Sequence, residues 1–275
     1  YNEYWGWQDG EKRNSRVKRV VEPIVILNHD WIIDENSSLE TSIGFQFGEM
    51  GNSRLDYAGG SNPSPAYYQD LPSYFLADND GPDYEGAYIA QENFVNNGQI
   101  NWNRIYDANL TNNLANLNAA YVLYEDRVDD SQITINSAYS REINDNMKIT
   151  TSFNYRNLIS DNFAEITDML GGSSYSNMDS FDFLDYNLLS PNSIVSEGDK
   201  FKYHYKMNVD EISGFVMADF SFNKLDFFIA GNITNTVYQR DGIFDNEANT
   251  GNSEGLGEKI SFEGYGLKTG LTYKF

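Results

Sequence analysis

Apolar and polar residues alternate with a period of two along several long stretches of this chain. Between Gln132 and Ser160, Ile133, Ile135, Tyr139 and Ile143 take one set of positions, and Thr134, Asn136, Ala138, Ser140 and Glu142 take the other. Such a period serves a strand with one apolar and one polar face. Asn144-Asp145-Asn146 interrupts it with turn formers, and Met147, Ile149, Phe153 and Tyr155 resume it on the return strand. Folding about Asp145 sets Ile135 opposite Tyr155, Ser137 opposite Phe153, and Glu142 opposite Lys148 as an attractive cross-strand pair.

A second hairpin is predicted over Phe201 to Gly242, turning at Asn223-Lys224. It sets Phe222 against Leu225, Phe220 against Phe227, Ala218 against Ile229 and Val216 against Gly231. The apolar phase flips along its first strand, from Tyr203, Tyr205, Met207 and Val209 to Ile212, Val216, Ala218 and Phe220. That flip predicts a bulge at Asp210-Glu211, or the point where the strand leaves a bilayer. A third hairpin spans Val17 to Tyr57 and turns near Asp34-Glu35-Asn36, pairing Ile33 with Leu39, Trp31 with Thr41 and Leu27 with Phe45. Its first strand is apolar in continuous runs and is interrupted by Pro23. The last strand, 258–275, alternates again through Tyr265, Leu267, Leu271, Tyr273 and Phe275.

Between hairpins the connections are long. The chain divides into a loop end at 1–16, hairpins at 17–57, 126–160 and 200–243, loops at 58–125, 161–199 and 244–257, and the final strand. Alternation alone would also suit a soluble sandwich. Tight turns on one side and large loops on the other are the pattern of a transmembrane β-barrel, with short periplasmic turns and long extracellular loops. The expected fold is therefore all-β, an antiparallel transmembrane barrel. Seven strands is an odd number, whereas closed bacterial barrels have even numbers. The expectation is about seven consecutive strands of a larger barrel, with Phe275 marking where the available chain stops.

Composition sharpens this picture. No apolar run reaches the roughly 20 residues of a membrane helix, while 20 Tyr and 17 Phe supply aromatic surface. There is no cysteine, so neither a disulfide framework nor a thiol nucleophile is available. The net charge of −22 argues against a nucleic-acid partner. It permits divalent cations or basic partners, and the acidic long loops could bridge divalents to lipopolysaccharide, although plain solvation is the blander reading.

The longest loop holds Pro63, Pro65 and paired aromatics. Tyr67, Tyr68 and Tyr74, with Trp102 and Tyr106 farther along, are the candidate ligand contacts; the alternative is a loop packed on itself. Asp78, Asp80, Asp83 and Glu85 surround a Gly turn, and Asp-x-Asp-Gly spacing can offer several oxygens to calcium, though a solvated acidic turn has the same composition. Neither His29 nor His204 sits in a catalytic or metal-ligand spacing, and no nucleophile elbow or phosphate loop is present, so no enzyme is expected.

Five segments together resemble the TonB-dependent receptors of the Bacteroidota outer membrane, the SusC-like type. They are Asn62 to Phe75, Ile100 to Tyr106, Leu170 to Tyr175, Pro191 to Tyr203 and Gly264 to Tyr273. The resemblance implies a 22-stranded barrel with a plug, drawing on the inner-membrane proton-motive force through TonB to import an oligosaccharide, peptide or metal chelate. It also implies a surface lipoprotein lid (SusD-like) as partner. The plug and its TonB-contacting segment are not within this sequence. The alternative function is a barrel subunit with a structural or accessory role among other subunits of an outer-membrane complex.

Overall fold

The computed structural model describes residues 2–77 and 81–275. The chain is all-β around one antiparallel sheet, with the α-helices among the described residues all in one connection. A short hairpin opens it, β1 (Trp5–Gln8) and β2 (Glu11–Asn14). The edge of the main sheet follows as β3 (Lys18–Val21) and β4 (Ile24–Asp34), both paired to β5 (Ser37–Tyr57). The first long connection carries α1 (Pro72–Leu76), α2 (Tyr84–Asn97) and α3 (Trp102–Leu114). β6 (Tyr121–Asn144) and β7 (Met147–Asp168) form the central hairpin. A second connection contains only the two-residue strands β8 (Tyr175–Ser176) and β9 (Ile194–Val195). β10 (Lys200–Ser221), β11 (Leu225–Gly242), the short β12 (Gly255–Leu256) and β13 (Ile260–Tyr273) complete the sheet.

Every long strand pairs with its neighbours in sequence. The sheet does not close: β4 and β13 each have a partner on one side only. The central register matches the alternation, with Ile135 opposite Tyr155, Ser137 opposite Phe153 and Glu142 opposite Lys148. In the next hairpin Phe220 faces Phe227, Ala218 faces Ile229 and Val216 faces Gly231, and the Phe222 amide donates to the Leu225 carbonyl at 2.8 Å.

Two expectations are corrected. In the first hairpin Trp31 pairs with Leu39, His29 with Thr41 and Leu27 with Ile43, so the partners lie two residues from those expected. The turn is the two-residue Glu35-Asn36, pinned by the Asp34 carboxylate accepting from the Asn36 amide at 2.8 Å, and Ile33 is the extra residue of a bulge. Faces are preserved because the slip is even. The bulge expected at Asp210-Glu211 is absent; β10 runs straight through that point and breaks register between Phe201 and His204, where Lys202 adopts φ 61°. The apolar phase flips because different faces are covered at different heights along the strand.

That difference organises the molecule. Near the tight turns, one face carries Ile43, Phe45, Ile133, Phe153, Ile212, Val216, Ile229, Ile233, Leu267 and Leu271, all exposed. The opposite face at this height is polar, with Ser42, Asn136, Asn154 and Ser213 in one cross-strand row. β4 is apolar on both faces, with Ile24, Ile26 and Ile32 exposed on the polar side, a side that Phe215, Met217 and Phe228 also share on β10 and β11. Near the long loops the sheet is covered on both sides. Val122, Tyr124, Ala164, Ile166 and Phe201 pack with Tyr175 and Val195 on the polar-face side. Tyr121, with Leu55, Tyr57 and Leu123 against it, packs with Ile100, Trp102 and Ile105 on the other. These small cores are the buried apolar centres of the fold.

Candidate functional site

On the apolar face, the hydrophobic residues give way to charge a few residues above Ile133. Arg127 is nearly buried and sits among Glu49, Glu125, Asp129 and Glu165. Arg19 joins Glu49 and Glu125 from the edge strand. Beside them Asp161 receives Lys200 at 3.3 Å and His204 Nε2 at 2.8 Å. The Lys200 ammonium lies 3.6 Å from the centre of the Phe163 ring. Burying Arg127 is tolerable because several carboxylates share its guanidinium. The result is a belt of alternating charge directly above the apolar band.

The polar face is capped by the second long connection. Tyr175 is fully buried there, and its hydroxyl donates to Asp56 at 3.1 Å. Lys202 reaches the same carboxylate at 2.8 Å while its ammonium lies over the Tyr124 ring. Arg54 and the Tyr203 hydroxyl share Asp126 in the same way. Desolvation and the neighbouring carboxylates drive the Tyr175 and Tyr186 phenols well above the ordinary tyrosine range. These tyrosines act as neutral hydrogen-bond donors in a rigid polar cluster. The cap is tied to the third connection through Asp185, whose amide donates to Glu247 at 2.7 Å, and through the Leu188 amide to the Asp245 carbonyl at 2.7 Å. Its outermost turn exposes Phe181 and Phe183.

The five aromatic ligand candidates fall into two groups. Tyr67, Tyr68 and Tyr74 form an edge-to-face chain with centroid separations of 4.9 and 5.9 Å on the loop ahead of α1. Tyr68 and Tyr74 are exposed. Trp102 is fully buried, donates its indole N–H to the Arg13 carbonyl at 3.2 Å and stacks under the Arg13 guanidinium. Tyr106 accepts from Arg13 at 3.0 Å. Trp102 and Tyr106 thus hold the N-terminal hairpin to α3 and lie apart from the tyrosine chain. Of the acidic candidates, Asp78 and Asp80 lie outside the described residues. Asp83 is the N-cap of α2, accepting from the Gly86 amide at 2.9 Å, and Glu85 lies in that helix's first turn. Capping and the helix dipole account for both carboxylates.

A concavity of about 630 Å³ opens between the 61–65 loop and helices α2 and α3. One stripe of α2 lines it at helical spacing through Ile89, Asn93 and Asn97, joined by Gln99 and the N-cap Asn101 ahead of α3 and by Arg104 in its first turn. The hydrophobic alternation carried no sign of it, because that signal reports strands. The visible clue was the pair of caps, Asp83 before Gly86 and Asn101 before Arg104, each accepting from the amide three residues on. Compared with known proteins, the sequence matches no protein-family model and none of the curated proteins.

Proposed function

We propose that this chain forms part of the barrel wall of an outer-membrane TonB-dependent transporter, importing a nutrient such as an oligosaccharide, peptide or metal chelate. The observation that carries this reading is the segregation of the sheet along its strands. An exposed apolar band lies on one face beside the tight turns, a polar face lies behind it, and a charge belt and structured loops stand above. At about 3.4 Å per residue and the usual barrel tilt, Ile133 to Ile143 climbs about 25 Å, the height of a barrel's lipid-facing band. A soluble sheet would bury that band in a second layer. In this reading the apolar face meets lipid, and the charge belt meets lipopolysaccharide headgroups. The Tyr175–Asp56 cluster stiffens the lumen side of the wall.

Two measurements test it. The protein should partition into detergent and resist extraction by high salt or alkaline carbonate; recovery in the aqueous fraction would refute membrane insertion. Deleting the gene should abolish uptake of one nutrient. Intact uptake with disturbed assembly of other envelope proteins would instead identify an accessory subunit of an outer-membrane complex.

A further inference from the structure

The cavity on α2 and α3 is a site apart from the lumen. Its floor includes Ile105 and Tyr121, which belong to the small core on the apolar-face side of the sheet. The polar face is covered by the other connection, so the cavity stands on the outer side of the wall. Its size falls within the range of small-molecule pockets. Its chemistry is unusual for this chain. Asn93, Asn97 and Gln99 make no intramolecular side-chain hydrogen bond among the described residues, leaving three amides able to both donate and accept. Phe75, Ile89 and Ile105 supply the apolar walls.

Charge narrows the ligand. In a protein of net charge −22, Arg13, Arg19, Arg54, Arg127 and Arg156 have carboxylate partners, whereas Arg16, Arg141 and Arg240, which do not line this cavity, have none among the described residues. Arg104 has none among the described residues; its guanidinium donates only to the Ser61 hydroxyl, at 2.7 Å. Asp70 lines the same cavity and makes no ion pair among the described residues. One cation and one anion, both without a charged partner, share a cavity with free amides. We propose that this cavity binds a short peptide with free termini, its carboxylate on Arg104, its ammonium toward Asp70 and its backbone on Asn93, Asn97 and Gln99. Amide side chains match peptide N–H and C=O groups alike, and a guanidinium is the preferred partner of a carboxylate.

Calorimetry on the detergent-solubilised protein tests this with tetra-alanine, its C-terminal amide, its N-acetyl form and maltotetraose. Tetra-alanine should bind, the C-terminal amide about tenfold or more weaker, and maltotetraose not measurably. Arg104→Gln should weaken tetra-alanine by a similar factor, while Arg104→Lys retains most of the affinity. Asp70→Asn should weaken tetra-alanine but leave the N-acetyl form unchanged. Failure of tetra-alanine to bind overturns the proposal, as does equal binding of the amide or the N-acetyl form, or tighter binding of maltotetraose. If Arg104→Gln does not fold, the amide measured on the unaltered protein decides. The assay needs no transport, so its failure leaves the importer reading untouched, and failure of detergent partitioning leaves this proposal standing.

Discussion

Asn109 shows how much one residue can carry. It is fully buried on α3, where its amide nitrogen donates to the carbonyls of Tyr121, Met169 and Leu170 and its oxygen accepts from the amides of Ala120 and Tyr121. One side chain therefore fastens the helix to the start of β6 and the end of β7. Asn109→Leu keeps the branched shape but strands several buried backbone groups. A loss of about 3 kcal/mol or more is expected, read as loosened Trp102 fluorescence and faster proteolysis of the 58–120 connection. Asp179 offers a pH test outside the sheet. Backbone donation from Asp182, with help from Phe181 and the Tyr186 hydroxyl, holds its carboxyl below the usual range of about 3.8. A depressed folded-state pKa stabilises above the unfolded value and is lost as pH falls through the folded one. The turn bearing Phe181 and Phe183 should therefore hold at neutral pH and loosen in acid below about pH 4. Fluorine NMR of labelled Phe181 would follow this, and Asp179→Ala should loosen the turn at all pH values. Neither residue could be picked out in advance, because each draws its role from backbone groups far away in sequence or hidden in a loop.

Among elements, the strands were legible and the helices were not. Alternation fixed the partners of the central hairpin from Ile135 to Glu142, since a slip by one would have exchanged the faces of Ile135 and Asn136, but it missed the register break at Ile143 beside the turn. It could not resolve the partners beside Ile33, because they lie an even two residues from those expected and an even slip leaves every face unchanged. The helices failed to announce themselves because the apolar residues of α2 and α3 are only weakly segregated to one face and are interspersed with Asn. Their stability comes from caps and from docking on the sheet, not from an amphipathic stripe. The edge offers a sharper test. Val21 pairs with Glu49 and Ile24 with Gln46, so the register survives Pro23, which has no N–H to give. Opposite this jog lies Gly48, where a Cβ would stand 2.0 Å from the Val21 carbonyl oxygen. Gly48→Ala should cost about 2 kcal/mol. It should release β3 first, seen as faster hydrogen exchange at the Phe47 amide, which donates to the Pro23 carbonyl.

For the whole molecule, the two faces predict opposite responses to the same substitution. Ile135→Arg in the apolar band should cost about 2–4 kcal/mol in lipid-reconstituted unfolding, whereas Asn136→Arg, one residue on and facing the other way, should cost little. Equal costs would remove the bilayer from the argument. The order of the strands has one more consequence. Because each long strand lies beside its predecessor, assembly can proceed as a zipper, each hairpin offering a template edge to the next and no strand waiting for a distant mate. The exception is β1–β2, which docks on Trp102 and Tyr106 and reaches Asp168 through Arg13 at 2.6 Å. This hairpin precedes β3 in the chain yet must wait for β7 before it finds its place. A slow late phase should report on Trp5, Trp7 and Trp102, arriving after the sheet has gained its secondary structure.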